Sequence, residues 1–130
     1  MIVRTTDEIT GTDRDVSDGS WRSKRIVLAG DGVGFSFHET TINADSVCEF
    51  HYQHHVEAVW VVEGQGTLTN LETGEQHRLS TGTMYLLDGH ERHRVTCHDQ
   101  LRMFCVFNPP VSGQEVHDET GAYPPPQPAA

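Results

Sequence analysis

The sequence predicts an all-β domain, a sandwich or barrel. Nine short β segments follow one another between turn residues, at 23–28, 34–42, 47–53, 57–63, 66–71, 75–79, 83–87, 93–97 and 101–107. No segment sustains a helical period. The hydrophobic fraction of 35% is gathered into short runs, which suits strands that alternate inward and outward side chains.

The connections read as consecutive hairpins. Glu63-Gly64-Gln65-Gly66 and Thr73-Gly74 supply glycines for positive φ between apolar strands. Tyr123-Pro124-Pro125-Pro126-Gln127-Pro128 cannot donate a regular ladder of hydrogen bonds. One domain over 1–123 is therefore predicted, followed by a disordered Pro-rich tail at 124–130. A chain of 130 residues is long enough for one sizeable core and too short for two ordinary domains.

Nine Lys and Arg against 19 Asp and Glu give a formal net charge of -10, which repels nucleic acid and anionic membranes. Such an acidic surface also keeps a protein soluble in concentrated salt. Cys48, Cys97 and Cys105 are odd in number and form no C-x-x-C pair, so reduced thiols in the cytoplasm are expected. No run has the length of a bilayer span or the pattern of a signal peptide, and the expectation is a soluble cytoplasmic protein.

Two motifs mark cupin barrels, G-x5-H-x-H-x3-4-E-x6-G and G-x5-P-x-G-x2-H-x3-N. His51, Glu57 and Gly64 match the first, with Gln53 where a second histidine would stand. Gly82 and His93 match the second, with Asp88, His90 and Cys97 at its proline, inner glycine and asparagine. The chain therefore resembles the cupins, which implies a single jelly-roll β-barrel with its C-terminal segment closing over the cavity.

Glutamine is a poor metal ligand, so the three-histidine-plus-glutamate set of that fold is incomplete here. Glu57 and His93 keep their places, and a carboxylate on an inward strand needs a partner or a metal. Tyr85, which shares a strand face with Thr83 and Leu87, is a candidate third ligand or a core or rim residue. A cation beside a phenol favours phenolate, and a Glu, Tyr and His set with open positions suits iron or zinc. His55 shares its parity with Glu57, whereas His54 points to the opposite face. His77 and His98 sit beside turns as surface groups, and His38, in Phe35-Ser36-Phe37-His38, reads equally well as a satisfied histidine facing solvent.

Longer segments carry a closer resemblance. They are Gly34-Phe35-Ser36-Phe37-His38-Glu39-Thr40-Thr41, His51-Tyr52-Gln53-His54-His55-Val56-Glu57-Ala58-Val59, Leu87-Asp88-Gly89-His90-Glu91-Arg92-His93, and Cys105-Val106-Phe107-Asn108-Pro109-Pro110 continuing through Gly113-Gln114-Glu115-Val116-His117-Asp118. On these the chain resembles the ectoine synthase family over nearly its whole length. The resemblance implies a cytoplasmic homodimer that cyclises N-γ-acetyl-L-2,4-diaminobutyrate with loss of water. It also implies Fe(II), or less readily zinc or another divalent metal, on Glu57, Tyr85 and His93.

The resemblance further places Trp21, Arg25, Phe107, Glu115 and His117 around the substrate. Arg25 would fork onto the substrate carboxylate or lie solvated at a strand edge. Glu115 would hold the α-ammonium or, with His117, cap a terminal loop. Trp21 and Phe107 would be cavity walls, Phe107 otherwise core. Tyr52 and His55 are the acid and base candidates, with Thr40 in hydrogen-bonding reach of the reacting groups. Competing readings are another iron-dependent cupin enzyme such as a dioxygenase, or a non-catalytic cupin that binds a small solute.

Overall fold

The computed structural model describes residues 1–113 and 115–125. One helical turn, α1 (Thr6–Ile9), precedes ten strands: β1 (Asp15–Ser17), β2 (Trp21–Val27), β3 (Ser36–Ile42), β4 (Val47–Phe50), β5 (Val56–Glu63), β6 (Gly66–Asn70), β7 (Gln76–Leu79), β8 (Met84–Leu87), β9 (His93–Cys97) and β10 (Leu101–Asn108). They form a sheet ordered β1-β2-β3-β10-β5-β8 and a second ordered β4-β9-β6-β7, with every pairing antiparallel. This is the predicted all-β, two-sheet barrel.

Period-two alternation builds the interior. Along β10, Leu101, Met103, Cys105 and Phe107 are buried and the residues between them are not. Val59, Val61, Leu68, Leu79, Leu87 and Val95 complete the core between the sheets. Burying each such aliphatic side chain stabilises by roughly 1.5–3 kcal/mol relative to exposure, which is what holds two strongly polar walls together.

The expected run of consecutive hairpins is corrected at Gly64. β5 lies in one sheet and β6 in the other, so Glu63–Gly66 is a corner rather than a hairpin. Gly64 has φ 101°, and a methyl there would collide with the Gln100 carbonyl. A methyl on Gly66 would stand 2.6 Å from the Thr96 carbonyl oxygen. These glycines serve close backbone approach as well as turn geometry. Only β6 and β7 make a tight hairpin after β3, through the Thr73-Gly74 turn with Gly74 at φ 79°.

Three short elements escape the strand reading: α1, β1 and a 3-10 turn at Ala29–Asp31. Four residues carry no period, yet α1 has a legible start. Thr5 Oγ1 accepts from Glu8 N and Thr5 N donates to Glu8 Oε2, each at 3.2 Å, a capping box.

Beyond β10 the chain runs irregularly across the barrel end. Val111 N donates to Ser36 Oγ at 2.9 Å, and His51 N donates to the Gly121 carbonyl at 2.9 Å. Val111, Ala122 and Tyr123 are buried. Of the predicted tail, Pro124 and Pro125 are exposed without regular structure, and 126–130 lie outside the described residues.

His38 corrects its solvent-facing reading, because it is wholly buried on β3. Its Nδ1 is 3.0 Å from Ser23 Oγ and its Nε2 is 2.9 Å from Ser36 Oγ. Burial, then the charges of Arg25 and His55, push its pKa down to about 3 from 6.5. The unfolded chain takes up this proton below pH 6.5 and the folded chain does not, so the stability it lends is full above 6.5 and is lost as pH falls toward 3.

Two outcomes are expected. Gly64→Ala lowers the urea midpoint well beyond Gly74→Ala, whose left-handed strain alone costs roughly 1–2 kcal/mol; equal effects would remove the close-approach account. The stability advantage of wild type over His38→Asn shrinks between pH 6.5 and 4 by up to about 1.4 kcal/mol per pH unit. A pH-independent difference in urea titrations would contradict the buried neutral histidine.

Candidate active site

Two walls of the interior carry the chemistry. On the first, β5 and β8 pair so that Glu57 faces Leu87 and Val59 faces Tyr85, which makes Glu57 and Tyr85 diagonal neighbours on the inner face. His93 comes from β9 in the opposite sheet, with its ring 6.4 Å from that of Tyr85. Its Nδ1 stands 3.0 Å from the Glu91 carbonyl, an acceptor, so Nδ1 carries the proton and Nε2 keeps its lone pair. That Nε2 is buried without a hydrogen-bond partner.

Burial dominates the electrostatics of this wall. Burial pushes Glu57 up to about 8, against the opposing hydrogen bond of the Cys105 thiol. Burial likewise raises the Tyr85 phenol far above 10, with Glu57 adding to it. Burial lowers His93 and keeps its ring neutral. Among the described residues no three His, Cys, Asp or Glu side chains converge as a metal-ligating set. A set built on Glu57 and His93 needs a donor of another kind, and the phenol of Tyr85 is on the same wall. An orphaned imidazole nitrogen, a carboxyl and a phenol, all destabilised as ions by burial, fit a divalent metal.

The second wall is aromatic and is partly built by the closing segment. Tyr52 is 5% exposed and its hydroxyl lies 2.7 Å from His117 Nε2. The His117 ring stacks on Tyr123 at 4.4 Å and meets the edge of Trp21 at 5.0 Å. Phe107 packs edge-on against Tyr52 at 5.1 Å and against His55 at 5.8 Å. His55 is 1% exposed and neither ring nitrogen has a partner, whereas His54 is exposed. Burial holds His55 below its ordinary value and lowers His117 to about 4, so both are neutral bases near pH 7. Thr40, half-buried on β3, accepts from the Cys105 thiol at 3.6 Å.

Arg25 and Glu115 are engaged differently from their predicted use on substrate. Arg25, wholly buried rather than solvated, donates to the Gly113 and Glu115 carbonyls at 2.6 Å each and to Tyr123 Oη at 3.4 Å. The Glu115 carboxylate accepts from Ser112 N and Gly113 N at 2.7 Å each. Burial works to raise it, but these hydrogen bonds outweigh burial and hold it below its usual value. Both residues therefore fasten the closing segment.

Gln53 departs from the expected strand. β4 ends at Phe50, and the crossing to β5 breaks the alternation, so Phe50, Tyr52 and His55 are buried while Gln53 is exposed and donates to Thr120 Oγ1 at 3.3 Å. Tyr52 thus takes the inward place that the motif spacing assigned to Gln53. His77 and His98 are exposed, as predicted. Sequence reasoning passed over Phe50, Cys105 and Tyr123 as parts of the site. The inward parity of β10 marked Cys105, but nothing local marked Tyr123, whose partners lie far away in the chain.

A cleft of about 600 Å³ opens where the edge strands β7 and β8 of the two sheets face each other, and Tyr85, Leu87 and His93 are among its lining. No helix among the described residues is long and apolar enough to cross a membrane.

The family model described as ectoine synthase matches residues 1–127. An L-ectoine synthase of Mycobacterium sp. (strain KMS) is 81% identical over 126 residues, 97% of this chain and 98% of that protein. Another, from Mycolicibacterium gilvum (strain PYR-GCK), is 80% identical over 125 residues, 96% of each chain. The crystal structure of ectoine synthase from P. lautus has a TM-score of 0.88 and 45% identity, covering 100% of this chain and 94% of that one. A Cupin 2 conserved barrel domain protein from Salinispora arenicola CNS-205, at 19% identity, TM-score 0.64 and coverage of 82% and 87%, shares the fold alone. The fold is a cupin barrel, and the chain belongs to the ectoine synthase family.

Proposed function

We propose that this chain is an L-ectoine synthase, a hydro-lyase that closes N-γ-acetyl-L-2,4-diaminobutyrate into a ring. The observation that carries this reading is 81% identity to an L-ectoine synthase across 97% of the chain. In the reaction the α-nitrogen bonds to the acetamide carbon, gives up two protons, and the carbonyl oxygen departs as water, leaving a C=N bond. Nucleophile and electrophile belong to one molecule, so the enzyme's positional task is to hold a flexible chain folded.

Glu57, Tyr85 and His93 would hold a divalent metal, Fe(II) in our reading, which when bound supplies a Lewis acid for the acetamide oxygen. The remaining work belongs to side chains. Trp21 and Phe107 give the folded substrate apolar walls. His55, neutral and with both nitrogens free of protein partners, and the Tyr52–His117 pair are placed to take and return protons. Thr40 offers a hydroxyl to the reacting groups. The closing segment excludes bulk water, which water elimination requires.

We further place the enzyme in the cytoplasm as a homodimer. Buried free thiols at Cys48, Cys97 and Cys105 suit a reducing compartment. Exposed apolar groups support self-association, namely Ile2 and Val3 at the N-terminus and Trp60, Met84 and Leu86 on the outer face of β5 and β8.

The reaction is tested by incubating the Fe(II)-loaded protein with the acetylated diamino acid, with and without oxygen, and following the ring by NMR. Ring formation that is independent of O₂ is expected. Unchanged substrate would favour a solute-binding cupin, and an oxidised product would favour a dioxygenase. Glu57→Ala and His93→Ala are each expected to lose bound metal, read by elemental analysis, together with all but about 1% of turnover, the scale on which removing one strong electrostatic group acts. His77→Ala, at an exposed position, should change neither quantity.

A further inference from the structure

A chain of hydrogen bonds runs beneath the closing segment, and the reaction uses none of its members. Val111 N donates to Ser36 Oγ at 2.9 Å, and Ser36 Oγ lies 2.9 Å from His38 Nε2. His38 Nδ1 lies 3.0 Å from Ser23 Oγ, which accepts from Arg25 Nε at 3.3 Å. Arg25 then reaches the Gly113 and Glu115 carbonyls at 2.6 Å each. Ser23, Arg25, Ser36, His38 and Val111 are each at most 1% exposed. The segment is tied to the barrel near its start at Val111 and at Gly113 and Glu115, and farther on at Gly121, whose carbonyl accepts from His51 N at 2.9 Å; the attachments of Val111 N, Gly113 and Glu115 all lead to one imidazole.

We infer that His38 is a positioning residue for the reaction, holding Ser23 and Ser36 so that Arg25 and Val111 seat the closing segment over the cavity. Both serine oxygens already accept an N–H, and each hydroxyl has a single proton to give. Each oxygen can still donate that proton or accept a second N–H, so one group that donates to one serine and accepts from the other satisfies both. A neutral imidazole does both across this span, whereas a protonated ring would present two donors beside the Arg25 guanidinium. Burial and the Arg25 charge keep it neutral down to about pH 3. With both nitrogens engaged, the ring has none left to exchange protons with a substrate.

The consequence for the site runs through the segment itself. Once seated, it brings His117 to Tyr52 at 2.7 Å and lays Tyr123 against Phe107 at 5.3 Å and against the Arg25 guanidinium at 5.5 Å. Loosening either attachment lowers the fraction of molecules that are closed and ready. Apparent affinity falls in proportion to that fraction, while the closed complex, once formed, turns over as before.

The test uses the full metal-loaded chain, amide hydrogen exchange, and KM and kcat measured separately. The kinetic arm rests on the proposed ring closure. The exchange arm does not, so a chain that exchanges as expected and turns nothing over would sink the proposed reaction and leave this inference standing. In His38→Leu, the amides of Val111 and of 115–123 are expected to exchange about tenfold faster than in wild type, with those of β5 and β9 unchanged, and KM to rise about tenfold at nearly constant kcat.

Asn sets its amide where Nδ1 lies and Gln where Nε2 lies. His38→Asn should therefore restore slow exchange at Glu115 and His117, and His38→Gln at Val111. Wild-type exchange over 115–123 in His38→Leu, or acceleration spread equally over all strands, overturns the inference. If that variant does not fold, indistinguishable exchange in the Asn and Gln variants overturns it instead.

Discussion

A polar interior from which water is excluded is the constraint on which this barrel depends. Arg25, His38, His55, Glu57 and His93 are each no more than 5% exposed. A buried polar group without a partner costs on the order of 1–3 kcal/mol, and more if it is charged. The interior answers that cost unevenly. Arg25 meets two carbonyls and a phenol, and His38 sits between two serines. Among the described residues His55 has no hydrogen-bond partner for either nitrogen, and His93 has one only at Nδ1. The satisfied groups tie elements together, and the orphaned nitrogens keep lone pairs or protons that no described residue uses.

The division is also spatial. Glu57 and Tyr85 come from β5 and β8, where strand register sets their relation, and His93 faces them from β9, which is held by its own ladders to β4 and β6. His117 and Tyr123 come from an irregular segment held at a few points. A site with one wall fixed by sheet ladders and another seated by side-chain hydrogen bonds can admit a substrate and still exclude water from it. Glu57 suits the fixed wall, because burial holds its carboxyl neutral up to about pH 8 and a neutral carboxyl is the less costly form in this interior.

Much of the fold was legible because strands of period two leave their mark locally. The alternation along β5, β9 and β10 placed Glu57, His93, Phe107 and His55 on the inner face, and the cupin spacing brought Glu57 and His93 to notice. Gln53 was misplaced by the motif spacing, since the alternation that buries Cys48 and Phe50 runs on to Tyr52 and turns Gln53 outward. Gly64 was legible as a turn but not as a corner between sheets, because hairpins and corners ask the same freedom of a glycine. The partners of Arg25 lie 88 and 90 residues away, so no reading of its neighbours could separate a substrate clamp from a fastener of the chain end. Tyr85 stood on an inward face either way, and only the family resemblance distinguished a ligand from a rim residue.

The position of β10 has a consequence for how the molecule comes into being. This strand lies between β3 and β5 at the centre of the larger sheet, yet it is the last strand in the chain. Until residues 101–108 are available, β2 and β3 have no connection to β5 and β8, and each pair would expose an unpaired edge. Contacts so distant in sequence slow folding, since loop-closure entropy must be overcome before they stabilise anything. A nascent chain that stops short of residue 101 therefore holds separate strand pairs rather than half a barrel, and the larger sheet closes only once β10 is made.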